Sequence, residues 1–257
     1  MGLQNKVKEG FNRFMQGVTH FGVGLAEGIE RGAMLLGWNQ LADKSREVSN
    51  ALQESHDRWK DRADRCQHER VVGANTRPKQ YNPDKERRAV AESAIQAIES
   101  HCKPGLNLHD TLTQQTPEER LDFIEAVASD LAQRSGLQIE PIDYFESERL
   151  RFGYFSPSEN RIRINATLIA SDNIYMVEEQ IYTIVHETMH AIQHHAVEQE
   201  LATPGSSGFD PQLVCDWAKN FLHYIRPEVD PEGYRNQPLE RDAYGIEWIL
   251  KNYFSNN

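Results

Sequence analysis

From Ile174 to Leu201 the chain carries no glycine and no proline, and its apolar residues recur at helical spacing: Ile174, Val177, Ile181, Ile184, Val185, Met189 and Ile192. Such a run folds as a helix with one face turned to a core. Asp172 and Asn173 stand where an N-cap belongs, Glu178 and Glu179 suit an early turn, and Pro204 and Gly205 lie just past the end. The middle of this helix reads His186-Glu187-Thr188-Met189-His190. Histidines four apart share a helix face, so both imidazoles can reach one metal ion. Glu187, beside the first, is placed to polarise a metal-bound water and carry its proton to a leaving group.

A catalytic metal takes three protein ligands and leaves a position for water. The third candidate lies downstream, where Tyr234 to Tyr244 leads into a second helix with Pro238 in its first turn. Glu240, Ala243, Tyr244 and Glu247 share one face of it, and Ala243 lets two helices approach closely. His186, His190 and Glu240 would complete the set. Asp242 is the rival third ligand, and either acid also suits the positive end of a helix. His194 lies ~12 Å along the axis from His186, too far to share the ion, so it reads as a cleft-lining or surface histidine. Tyr234 and Tyr244 are candidate donors to an oxyanion, against the plainer reading of a packed ring with a wet tip.

H-E-x-x-H on one helix with a glutamate on a later one resembles the gluzincin division of zinc metallopeptidases. The lead-in is similar to the minimal metallopeptidases of the ImmA/IrrE type, which carry a G-x-Y, N-x-I-x-I-N hairpin, then T-x-x-H-E-x-x-H, then E-x-x-A. The corresponding elements are Gly153/Tyr154 (adjacent, without the intervening residue), Asn160 to Asn165, Thr183 to His190, and Glu240 to Ala243. The likeness covers roughly residues 137 to 257. It departs from the thermolysin branch at Tyr244, where that branch has an aspartate four residues after the ligand glutamate. It implies an α+β, minimal zincin-like domain, with a small sheet and β-hairpin packed on the H-E-x-x-H helix and the third-ligand helix. It also implies one zinc ion per chain, peptide-bond hydrolysis, and a cleft-facing strand around Phe152, Gly153 and Tyr154 that binds substrate by its main chain.

The whole chain bounds this reading. Its 257 residues and 39% hydrophobic content allow one catalytic domain plus an appendage. A formal charge of −11 argues against nucleic acid as a partner, since phosphate binding needs a basic surface. Cys66, Cys102 and Cys215 are scattered and odd in number, which reads as free thiols in a reducing compartment. No secretory signal pattern and no long uncharged apolar run is present. The expected location is therefore cytoplasmic, or delivery to another cell without a cleavable signal.

Residues 1–70 read as a separate helical region. Phe11, Phe14, Val18, Phe21, Leu25, Ile29, Ala33 and Leu36 form an amphipathic stripe, while Gly24, Gly28 and Gly32 form a ridge without side chains. The ridge permits close backbone packing, and the region reads as a helical hairpin or as an element for docking, delivery, chaperone binding or self-association. A linker at 71–85 precedes the metallopeptidase domain at 86–257. Helices are expected over Glu86–His101, from Thr116 to Gln133 behind a capping box, and over Pro211–Ile225. A strand is expected over Leu137–Phe145, with Pro141 arguing for an edge or a break. The functional expectation is a zinc metalloprotease acting on a specific protein, as a regulatory protease or as an effector or toxin. The alternative is a zincin-fold interaction protein that binds a partner without cutting it.

Overall fold

The computed structural model describes residues 83–147, 152–203 and 205–256. The expectations for 1–70, for Cys66 and for the linker up to residue 82 lie outside them. Eleven elements follow in order among the described residues: α1 (Pro83–His101), α2 (Leu108–Thr113), α3 (Pro117–Arg134), β1 (Glu140–Phe145), β2 (Gly153–Ser156), β3 (Arg161–Asn165), α4 (Ala166–Ile169), α5 (Ile174–Ala202), α6 (Pro211–Leu222), α7 (Pro231–Asn236) and α8 (Pro238–Ser255). The fold is α+β, mostly helical with one small mixed sheet. None of the described helices is long and apolar enough to cross a membrane.

Local chemistry accounts for most boundaries. Thr116 accepts from the Glu119 amide, and the Glu119 carboxylate takes the Thr116 amide, so α3 opens on the expected capping box. It ends at Arg134, and just beyond it Gly136 takes φ +67° while the Leu137 amide reaches back to the Ala132 carbonyl. Helix α1 begins at Pro83 rather than Glu86. Helix α6 stops at Leu222, short of the expected Ile225, and α2, α4 and α7 are short helices that the apolar pattern does not announce.

The chain divides into two compact units. The one that holds the H-E-x-x-H motif comprises Asn82–Ala196 and Leu239–Asn257. Its core takes Ala94 and Ile98 from α1, Ile124, Val127 and Leu131 from α3, Ile162 and Ile164 from β3, Ile181, Ile184 and Val185 from α5, and Ala243, Ile246 and Leu250 from α8. The sheet order is β1-β3-β2, with β1 parallel and β2 antiparallel to the central strand. The pairing of β1 with β3 slips between Glu140 and Asp143, at Pro141. The described part of the other unit, Val197–Pro238, centres on α6, whose Leu213, Val214, Cys215, Trp217 and Leu222 are buried. In it the Asn220 side-chain amide donates to Gln237 Oε1, and Gln237 Nε2 donates to the Ile225 carbonyl.

Strand β2 lies along α5. A Cβ built on Gly153 would stand 2.8 Å from the Arg163 carbonyl and 3.0 Å from Thr183 Cγ2, while the Phe155 amide donates to Glu187 Oε2 at 2.7 Å. Two residues advance the strand ~6.6 Å and four advance the helix ~6 Å, so strand and helix run alongside each other. Replacing Gly153 with alanine should therefore force β2 away from the Arg163 carbonyl of β3 and from Thr183 of α5, and cost about 1–3 kcal/mol. Urea denaturation measures this, and an unchanged midpoint would contradict the close approach.

Candidate metal centre

Helices α5 and α8 run antiparallel through the site: Gln193, His190, His186 and Glu179 meet Leu239, Glu240, Glu247 and Lys251 in turn. One helix supplies both imidazoles and the other supplies the carboxylate. His186 Nε2 and His190 Nε2 stand 3.2 Å apart. Each lies 3.3 Å from an oxygen of Glu240, His186 to Oε2 and His190 to Oε1. The Glu240 side chain is sealed from solvent at 1% exposure, and His186 is nearly so.

These separations test whether the residues fit a metal. A tetrahedral ion with bonds of ~2.0–2.1 Å sets neighbouring donor atoms ~3.3 Å apart. The two nitrogens sit at that spacing, each meets a different oxygen of Glu240 at it, and one donor atom from each of the three residues lies within 4.8 Å of the others. His186, His190 and Glu240 thus form a buried group close enough to hold one metal ion, and they are the one such cluster among the described residues.

The outward-facing atoms are held as well. His190 Nδ1 meets Gln193 Oε1 at 2.8 Å. His186 Nδ1 faces Glu247 Oε2 at 3.5 Å, Lys251 Nζ touches the other Glu247 oxygen at 3.2 Å, and Glu179 holds the same ammonium at 2.8 Å. The Tyr244 ring packs edge-on to His186 with centroids 4.8 Å apart.

Each residue singled out in the sequence has a definite place. Asp242, the rival ligand, binds the Arg87 guanidinium of α1 instead, at 2.9 Å from Nε and 2.6 Å from Nη2. Gly245 leaves the room that this arginine occupies, since a Cβ there would meet Arg87 Cδ at 3.0 Å. His194 packs edge-on to Phe155 and stays out of the metal group. The Tyr154 hydroxyl accepts from Arg163, which is itself paired with Asp143 and Glu159. The Phe152 carbonyl accepts the Asn165 amide. Tyr234 belongs to α7 in the other unit, where its ring meets Tyr224 edge-on. Gln193 went unnoticed in the sequence, although its signal is simple: it stands one turn after the second histidine.

Burial pulls the His186 pKa down, yet Glu240 and Glu247 at its two nitrogens and the nearby Glu187 carry it up to about 10. Burial likewise favours the neutral form of Glu240, but His190 and His186 hold its pKa well below the ordinary carboxylate value. Comparison with protein families, with characterised proteins and with solved structures returns no match.

Three outcomes follow from this geometry. A histidine whose folded pKa exceeds its unfolded 6.5 contributes stability that is full below 6.5 and is lost as pH rises through about 10. The melting temperature of chelator-treated protein should fall across that window, and a flat profile would remove the imidazolium–carboxylate cluster. Asp242→Asn should destabilise the fold by about 1–3 kcal/mol, because it removes the negative charge that faces the Arg87 guanidinium, yet keep the metal stoichiometry. Glu240→Gln should lose the metal. Elemental analysis of the two variants checks the assignment.

Proposed function

We propose that this chain is a zinc-dependent metalloprotease that hydrolyses peptide bonds of a specific protein substrate. The observation that carries the reading is the meeting of two imidazole Nε2 atoms with a buried carboxylate, one residue from a glutamate held on a strand edge. Two imidazoles and one carboxylate are a donor set that suits zinc, and three protein ligands leave a coordination position open. A structural zinc site prefers four closed protein ligands and needs no base, which favours an enzyme over a purely binding protein. The zincin-like arrangement expected from the resemblance to gluzincins is part of this proposal, and the α+β fold is compatible with it.

When bound, a zinc ion supplies an acidified water, with a pKa near ~7, and a Lewis acid for the scissile carbonyl. His186, His190 and Glu240 would hold it. Glu187 Oε2 accepts the Phe155 amide, which leaves Oε1 as the oxygen that would take a proton from the attacking water. The same carboxyl group would then deliver that proton to the leaving nitrogen. The peptide has a place to lie. Phe152 pairs with Asn165 through its carbonyl, so by the alternation of an antiparallel ladder Gly153 and Phe155 face away from β3. No described strand covers that edge. Gly153 offers its amide and carbonyl there to an extended substrate. A regulatory or effector role is the setting that fits such a protease.

Glu187→Gln should retain one zinc per chain and lose about 10²–10⁴-fold in cleavage rate. Proteome-wide mapping of new amino termini, with wild type and variant compared, tests this. Cleavage retained in the variant would sink the mechanism. An intact proteome with zinc-loaded wild type would move the assignment to a metal-containing binding protein.

A further inference from the structure

A histidine has two ring nitrogens, and only the unprotonated one can take a metal. The helix places the ring but does not choose the nitrogen. For His190 that choice traces to one buried amide. Gln193 is fully buried, and a buried amide needs partners at both ends. Its Oε1 meets His190 Nδ1 at 2.8 Å, and its Nε2 donates to the Leu239 carbonyl at 3.0 Å. The carbonyl can only accept, so the NH₂ end of the amide must face it. The oxygen end must then face the histidine, and Nδ1 must carry the proton. In the neutral ring Nε2 then keeps the lone pair, and it is the nitrogen that stands beside Glu240 Oε1 and His186 Nε2.

We propose that Gln193 is a positioning residue that sets the metal-competent tautomer of His190 and ties it to the third ligand. Leu239 is the residue just before Glu240. One side chain therefore spans a ligand on α5 and the backbone at the ligand on α8. It acts through His190 and through the placement of Glu240, and touches no reacting atom. The inference rests on the metal-centre reading above. It deepens that reading by naming what assembles the site before an ion arrives.

The test uses the full chain and zinc(II) or cobalt(II). Gln193→Met keeps the length of the side chain and removes both hydrogen bonds. It should bind zinc about 10–100-fold more weakly in chelator competition. Its cobalt(II) visible band should shift, which a general loss of packing elsewhere would not produce. If the variant fails to fold, nitrogen-15 spectra of zinc-loaded wild type give the answer directly. His190 should show a protonated Nδ1 and a metal-bound Nε2. Zinc affinity within twofold of wild type together with an unmoved cobalt band would overturn the role of Gln193 while leaving the centre intact. A metal-bound Nδ1 would overturn it as well. A wild-type chain that takes no zinc would instead remove the centre itself, and the inference with it.

Discussion

A carboxylate sealed between two imidazoles is the constraint around which this unit is arranged. An ionised carboxyl group out of water is costly unless positive charge stands beside it. Glu240 meets that requirement only at the point where His186 and His190 converge. Two antiparallel helices must therefore be held at one register. Ala243, between Asp242 and Tyr244 on α8, is fully buried. The Arg87–Asp242 pair pins the start of α8 to α1, and Lys251 joins its far end to Glu179. Gln193 ties α5 to the first turn of α8.

The same helix meets the sheet through a different kind of contact. Gly153 removes a side chain so that β2 can lie against Thr183, and the next outward amide, that of Phe155, reaches Glu187. One strand thus serves two purposes. It orients the carboxylate beside the ligands, and it leaves main-chain groups on an edge that no described strand covers. Packing and proposed chemistry share residues here, which is why Gly153 matters to both.

The outer contacts of the two histidines differ in kind. His190 is held by a neutral amide, and His186 faces a carboxylate that is itself shared with a lysine. Glu247 on α8 faces His186 Nδ1, while the Tyr244 ring, a turn earlier, packs on the imidazole.

The sequence alone determined the elements whose cause is local. The helix over Ile174–Ala202, the shared face of His186 and His190, the capping box at Thr116 and the break at Pro141 follow from periodicity, side-chain spacing and backbone hydrogen bonding within a few residues. Short helices such as α2 and α7 escaped because a turn or two shows too little apolar periodicity to read. Only the tertiary structure decided between Glu240 and Asp242. Both stand in the first turns of one helix, two residues apart and so on opposite sides of it, and each is an acid suited to that helix end. Which one turns to the histidines depends on what packs against each side: Arg87 on one, the imidazoles on the other. The tie through Gln193 was hidden for the same reason, since its partner carbonyl is distant in the chain and comes near only when α8 folds back along α5.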